Sequence, residues 1–283
     1  MCNISFVILH YNNLKDTREC IRSLEKYMVD QNVNIVVVDN GSPQEKATVL
    51  KKEFASPQIY FIDSRENLGF AKGNNLGYKF AKDQLNADII ILTNSDTVYS
   101  QENFVENLKK HYKKGFDVAG PKIVGMSKNT KYKYNQNPLP VHFKNINDLK
   151  SRIFKLRVLY ALSFIGLDTV AQNVFSKKMK ETTNQDKDFQ LHGSCLIFSR
   201  NYLRNFDGLY SGTFMYGEED ILKYRVQKFH LEMKYFDDIW VQHKGGATTD
   251  KQHGSGIKKR QFYYKWSLNS YNKLKKIMEE DNY

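Results

Sequence analysis

Short apolar runs and segments of helical period alternate from the first residues of the chain. Ile4–Leu9 is an unbroken β-rich run, and Asp16 to Tyr27 sets Cys20, Ile21, Leu24 and Tyr27 on one helical face. Ile35–Val38 predicts a second strand, Ala47–Phe54 a helix, and Ile59–Ile62 a third strand. A helix over Asn74 to Leu85 follows, then the fully apolar strand Ile89–Leu92. Because these strands are apolar runs without alternation, both of their faces must be covered. Strand–helix–strand repetition with short loops predicts a parallel, doubly wound sheet. Ligands of such sheets lie at the carboxyl ends of the strands. That rule selects His10-Tyr11-Asn12, Asp39-Asn40-Gly41-Ser42 and Asn94-Ser95-Asp96.

The alternation stops after Pro121. Lys128 to Pro140 is polar and proline-bearing, hence a loop, and Asn145 to Phe175 has helical character. Strand Cys195–Phe198, a helix from Glu219 to about Phe229 and strand Ile239–Gln242 complete the expected core. The organisation expected is one domain over 1–250, with a first half (1–125), a helical insertion (about 141–185) and a second half (186–250). A basic, aromatic helical tail occupies 251–283.

Composition narrows the class. With 283 residues, 41% apolar and 13% aromatic, the chain can bury a sizeable core, which excludes wholesale disorder. The net charge of +12 points to anionic partners, and it is uneven. Residues 1–143 carry 19 basic and 15 acidic side chains, whereas 144–283 carry 24 and 16. Between Lys144 and Lys180 stand eight basic and two acidic residues; Ile257 to Ile277 has seven basic residues, no acidic one and five aromatics. The three cysteines form neither a disulfide framework nor metal-ligand spacing, which fits a reducing compartment. The N-terminal segment lacks a basic n-region, and no apolar run approaches the roughly 20 residues that span a bilayer. A cytoplasmic protein, peripheral at the inner face of the membrane, is expected.

Four segments are candidates for chemistry, each with a plain structural reading beside it. Asn94-Ser95-Asp96 follows a strand, and its carboxylate suits a hard divalent cation bridging phosphates, although Asn and Asp also simply cap turns. Asn67 to Gly77 is a glycine-bearing loop entering a helix, fit for phosphate or ribose, or else for close helix packing through Gly69, Gly73 and Gly77. It is neither a Walker A loop nor a dinucleotide fingerprint. Glu218-Glu219-Asp220 sits at a helix start, where acidic residues also serve as ordinary dipole partners. Crowding three carboxylates raises the pKa of at least one, which suits a general base. His243, after the last strand, is a metal or phosphate contact or a structural hydrogen-bonding group.

Taken together, these segments resemble a family 2 glycosyltransferase of the GT-A fold, in the bacterial rhamnosyl- and galactosyltransferase-like branch. The resemblance runs from about Ile4 to Thr248, apart from the insertion. Val38-Asp39-Asn40-Gly41-Ser42 matches the family's Val-Asp-Asn/Asp-Gly-Ser, and the stretch from Arg65 to Gly77 is the most specific. The resemblance implies donor binding by His10, Tyr11, Asn12, Asp39, Asn67, Gly69, Phe70, Gly73, Asn74, Asn94, Ser95, His192 and Gly193. It makes Asp96, with His243, the ligand of a divalent cation, Mn²⁺ or Mg²⁺. Asn94 stands where the family has the first Asp of Asp-x-Asp, which removes one charge. Anchoring on Leu222 and Arg225 aligns Glu219 with the catalytic Asp and Glu218 with the Glu before it; a neighbouring register selects Asp220.

The implied activity is inverting transfer from a UDP- or dTDP-linked sugar to a hydroxyl of a glycan, lipid-linked or protein-linked acceptor, in surface polysaccharide or glycoconjugate synthesis. An anionic membrane surface is a further expected partner, a homo-oligomer another, and nucleic acid is not expected. Two rival readings fit the sequence less well. A basic module binding anionic surfaces without catalysis needs neither the Asn67–Gly77 loop nor the carboxylate trio. A nucleotidyltransferase would carry a basic, glycine-rich signature near the N-terminus, which Ile4–Asn13 lacks.

Overall fold

A computed structural model describes residues 2–125, 134–176, 188–245 and 256–280. The first half contains β1 (Ile4–His10), α1 (Leu14–Glu25), β2 (Val33–Asp39), α2 (Leu50–Glu53), β3 (Ile59–Asp63), α3 (Phe70–Asp83), β4 (Ile89–Asn94), β5 (Thr97–Val98), α4 (Phe104–Lys114) and β6 (Val118–Gly125). Then come β7 (Tyr134–Asn135), β8 (Leu139–Pro140), α5 (Ile146–Ser163), α6 (Asp168–Ser176), β9 (Phe189–Gln190) and β10 (Cys195–Ser199). The chain finishes with α7 (Arg200–Asn205), α8 (Glu218–Lys228), β11 (Met233–His243) and α9 (Ile257–Glu280).

The strands pair in the order β3-β2-β1-β4-β10-β6-β11-β5, with β7 added beside β6. The mostly parallel α/β architecture expected from the sequence is therefore present, with antiparallel exceptions: β10 against both β4 and β6, and the two-residue strands β5 against β11 and β7 against β6. An apolar run such as Cys195–Ser199 requires burial but carries no sign of strand direction. The two faces of the sheet bury separate clusters. Phe6, Ile35, Ile91 and Ile197 pack on one side with α1 and α4, and Val7, Val36, Ile90 and Phe198 on the other with α3, α7 and α8.

A third cluster joins the insertion to the tail. Leu149, Ile153 and Leu156 of α5 pack with Tyr264, Leu268, Tyr271 and Leu274 of α9, and Ile221 of α8 brings the acidic helix into the same cluster. The single helix expected over Asn145–Phe175 is broken after Ser163, where Gly166 takes φ +75° and the chain turns back into α6. The aromatic residues of α9 face inward: Trp266 lies on Phe214 with ring centroids 4.3 Å apart, and Tyr264 and Tyr271 are buried. Among the described residues no helix is long and apolar enough to cross a membrane. Of the loop expected over Lys128 to Pro140, residues 128–133 lie outside the described residues, as do 177–180 of the basic insertion and 246–248 at the end of the stretch of resemblance.

Candidate active site

Parallel pairing aligns the strand ends. Leu9 of β1 pairs with Asn94 of β4, and His10 with Asp39 of β2, so the loops that follow leave the sheet at one level. Together with α3, α8 and α9 they enclose a cavity of about 350 Å³. Of the residues expected after β1 and β2, Tyr11 and Asn40 line it. His10 is fully buried, with Nδ1 2.7 Å from Thr17 Oγ1 and Nε2 2.5 Å from the Glu45 carbonyl. Asn12 accepts from the Gln44 and Glu45 N–H groups at 3.2 Å. Asp39 accepts from Ser42 N–H at 2.9 Å and Ala47 N–H at 2.7 Å, which ties down its own loop. These three side chains hold the loops that shape the cavity, and Asn40 lines it in their place.

The glycine-bearing loop divides by role. Asn67, Gly69 and Phe70 line the cavity. Asn67 Oδ1 accepts from Gly69 N–H at 2.9 Å, and Gly69 has φ +84° with its missing Cβ position 2.2 Å from the Phe214 carbonyl oxygen. No side chain fits there, so the entrance of α3 sits directly on the segment leading to the acidic helix. The Phe70 N–H donates to that same oxygen at 2.7 Å. Gly73 and Asn74 do not reach the cavity. A Cβ on Gly73 would meet Leu9 Cδ1 at 2.7 Å, which makes this glycine a point of close helix–strand packing, and Asn74 Nδ2 donates to the Phe70 carbonyl at 3.0 Å.

Asn94, Ser95 and Asp96 line the cavity at the end of β4. His243, the last residue of β11, brings Nε2 to 3.3 Å from Asp96 Oδ1, and its Nδ1 lies 2.8 Å from Gln136 Oε1. His192 stands beside it, ring centroids 5.4 Å apart, and burial together with His243 pushes its pKa down to about 4. His192 is therefore neutral near pH 7, with Nδ1 accepting from Ser194 N–H at 3.1 Å. Among the described residues no group of three or more His, Cys, Asp or Glu is arranged to hold a metal. One carboxylate and one imidazole converging in this cavity nevertheless fit a divalent cation that takes its remaining ligands from a diphosphate and water.

The acidic helix enters through two successive left-handed residues, Tyr216 at φ +68° and Gly217 at φ +86°. Positive φ at a tyrosine is backbone strain, and such strain concentrates at functional sites. Glu218, Glu219 and Asp220 form the first turn of α8 and all line the cavity. Burial, reinforced by the neighbouring Glu219 charge, pushes Glu218 up to about 8, although Thr213 Oγ1 donates to it at 2.9 Å. Burial also raises Glu219, while main-chain N–H groups, including that of Gly193 at 3.2 Å, pull it back. Asp220 has both oxygens engaged, one 2.9 Å from His142 Nδ1 and the other accepting from the Tyr271 hydroxyl at 3.1 Å. That contact raises the His142 pKa. Beneath them Arg225, buried, donates to Tyr202 Oη and to the Gly208 carbonyl, which anchors the helix.

Thirteen of the expected site residues thus share one cavity: Tyr11, Asn67, Gly69 and Phe70; Asn94, Ser95 and Asp96; His192 and Gly193; the carboxylate trio; and His243. His142, Tyr216, Tyr263 and Tyr271 line it too and were not anticipated. His142 lies in a stretch with no periodicity. Tyr263 and Tyr271 are eight residues apart, two helical turns, which a helical reading of the tail already places on one face.

The sequence profile of the family described as Glycosyl transferase family 2 matches residues 5–207. The chain is 24% identical over 231 residues to the low-salt glycan biosynthesis hexosyltransferase Agl10 of Haloferax volcanii, covering 82% of this chain and 64% of that protein. It is 28% identical over 126 residues to the poly-beta-1,6-N-acetyl-D-glucosamine synthase of Staphylococcus aureus, 42% of this chain and 29% of the relative. Among solved structures, S. aureus TarS 1–349 in complex with UDP superposes with TM-score 0.54 at 15% identity, over 88% of this chain and 62% of TarS 1–349. The chain spans less than two thirds of the length of each of these proteins. The TarS likeness bears out the GT-A fold.

Proposed function

The chain belongs to glycosyl transferase family 2, and we propose on that footing that it is an inverting glycosyltransferase using a UDP- or dTDP-linked sugar. The observation that carries this reading is the His192–Gly193 segment. His192 contacts His243, which faces Asp96, and the next residue, Gly193, donates to Glu219. Two residues therefore span the gap between a site for a leaving diphosphate and a site for a base. A sugar between them presents its anomeric carbon to both.

In this reading Glu219 accepts the proton of the acceptor hydroxyl while that oxygen bonds to the anomeric carbon. The bond from that carbon to the diphosphate oxygen breaks on the opposite face, and its electron pair leaves with the nucleoside diphosphate. Glu219 suits the role better than its neighbours. Glu218 is held protonated near neutral pH, and both oxygens of Asp220 are occupied by His142 and Tyr271. Asp96 and His243 would hold the divalent cation, Mn²⁺ or Mg²⁺, whose chemistry is to neutralise charge on the departing diphosphate. Neutral His192 and the Gly193 N–H bound the space for the sugar.

On the acceptor side, the turn between α5 and α6 exposes Phe164, Ile165 and Leu167, and Val170 and Val174 continue the apolar surface along α6. Lys155 and Arg157 lie on α5. Apolar tips flanked by cations suit an anionic membrane interface, which supports a lipid-linked or membrane-proximal glycan acceptor. Two measurements test the reading. Nucleoside diphosphate release from UDP- and dTDP-sugars with Mg²⁺ or Mn²⁺ should occur and depend on Glu219; no release from any donor overturns the activity. Salt-sensitive co-sedimentation with anionic vesicles should be lost when Phe164 and Ile165 become Ser. If instead the exposed surface mediates self-association, those changes alter the oligomeric state and leave vesicle binding absent.

A further inference from the structure

A second cavity, of about 210 Å³, lies in the helical insertion beside the first, bounded by α5, α6 and α9. Its walls are mostly apolar, with Leu156, Leu159 and Phe175, yet Arg152 and Lys155 also line it and no carboxylate does. The two cations are three residues apart on α5, hence on one face. Other cations of this region are neutralised: Lys150 by Glu279 at 3.2 Å, and Arg260 by Asp168 at 2.5 Å. Arg152 and Lys155 have no such ion pair among the described residues. Arg152 Nη2 donates to the Tyr263 hydroxyl at 3.3 Å, but its Nε is shut off from solvent without a hydrogen-bond partner. A guanidinium N–H left without an acceptor is a cost to the fold that an added acceptor relieves.

Tyr263 lines both cavities. It separates the carboxylate trio on one side from the cationic cavity on the other, and its ring packs against that of Tyr216 at 5.0 Å. A molecule whose hydroxyl reaches Glu219 past Tyr263 extends its next unit toward Arg152 and Lys155. Two positive charges outside any ion pair among the described residues, with the Asp220 carboxylate that Arg152 feels already bonded to His142 and Tyr271, match a phosphate better than the single charge of a carboxylate, and a planar fork beside a point charge is a common way of holding one. The apolar walls suit the carbon skeleton that carries it.

We propose that this cavity is an acceptor subsite, which binds a phosphate borne by the acceptor through Arg152 and Lys155. The assignment to an acceptor rests on the transferase reading above. The phosphate itself could sit on a lipid or on a soluble glycan, and two probes separate these sources. Glycerol 3-phosphate and dihexanoyl phosphatidic acid, the latter below its micellar concentration, are titrated calorimetrically into the protein with the donor site saturated by UDP. Binding of at least one probe is expected, weakened about tenfold or more in K155Q and in R152Q. Preference for phosphatidic acid indicates a lipid-borne phosphate, and preference for glycerol 3-phosphate a soluble one. R152K guards against a folding defect: it keeps the charge, so it should bind more tightly than R152Q. No binding of either probe at millimolar concentration, binding that UDP abolishes, or binding equal in wild type, K155Q and R152Q overturns the subsite. Nucleoside diphosphate release by the wild-type protein with water taking the acceptor's place, so that the products are free sugar and nucleoside diphosphate, reports on the transferase reading alone. Each can therefore fail without the other.

Discussion

The main-chain N–H of Gly193 donates to Glu219 Oε1 at 3.2 Å, and a Cβ on Gly193 would lie 2.5 Å from that same oxygen. Glycine is the residue that lets the backbone approach the carboxylate closely enough to orient it. The contact also places Glu219 relative to the Asp96–His243 pair, because His192 touches His243 from the adjacent position.

Gly193→Ala tests this placement. Gly193 does not occupy the left-handed region, so alanine is tolerated by the backbone and acts through sterics at Glu219 alone. Turnover should fall about 10²-fold, the scale of a displacement near 1 Å, with the melting temperature and circular dichroism near those of the wild type. Turnover unchanged in a folded variant would show that Glu219 is not held by this contact.

The carboxylates should separate by variant. Glu219→Gln keeps size and hydrogen bonding but cannot take a proton, so a loss of about 10²–10⁴ in rate is expected. Glu218→Gln should cost far less near pH 7, since Glu218, with a pKa pushed up to about 8, is already mostly protonated there. If Asp220→Asn is dead while Glu219→Gln turns over, the base is Asp220 and the motif is displaced by one residue.

Glu218 also gives stability a pH dependence. Its folded pKa, about 8, lies above the ordinary value of 4.5. Between those values the unfolded chain has released the proton and the folded one keeps it, so this group lowers stability as pH rises from about 4.5 to 8 and adds no further slope above that. Glu218→Gln should flatten the melting curve across this window and melt a few degrees above the wild type at pH 8.5. Identical pH profiles for the two proteins would remove Glu218 as the cause.

The fold was legible where periodicity was strong. The β1, β2 and β4 runs and the helices between them lie within a few residues of their expected bounds. Helix α4 was not anticipated: FVENLKKHYKK buries Phe104, Val105 and Leu108 in its first two turns and adds only half-buried Tyr112 beyond them. The antiparallel β10 was illegible for a different reason: burial leaves its mark on composition, and direction does not. In the site, the motif residues that touch the cavity are interleaved with ones that hold loops. Asp39 and Asp96 both follow strands, yet only Asp96 faces the cavity, because Asp39 is claimed by the N–H groups of Ser42 and Ala47. His142 and Tyr271 meet at Asp220 from segments 129 residues apart, a convergence that tertiary packing alone creates.

The cation prediction concerns Asp96. Asp96→Ala should abolish nucleoside diphosphate release, and excess chelator should reproduce most of that loss in the wild type. Asn94→Asp adds a second carboxylate at the end of β4, so half-maximal activity should need a lower cation concentration. Activity that survives chelation undiminished sinks the cation role.

The tail makes the last test, because its positive charges are not equivalent. Lys258 is exposed, whereas Arg260 reaches fully buried Asp168 with Nε at 2.5 Å and Nη2 at 3.1 Å, and Tyr264 Oη adds a third bond at 3.1 Å. Removing Arg260 leaves a buried carboxylate with one donor from a side chain. Breaking a fully buried pair costs about 3–5 kcal/mol; since Arg260 itself is 28% exposed, a loss of about 1–3 kcal/mol is expected for Arg260→Ser. Arg260 holds the Asp168 carboxyl below its ordinary 3.8, so its contribution is present above that value and disappears as pH falls through the lowered one. The deficit of Arg260→Ser should therefore be largest at neutral pH and shrink below about pH 4. Lys258→Ser should leave the melting temperature unchanged throughout. Equal, small effects of the two substitutions at neutral pH would mean that the insertion and the tail are held together by the apolar cluster of α5 and α9 alone, and that Arg260 is one more surface charge.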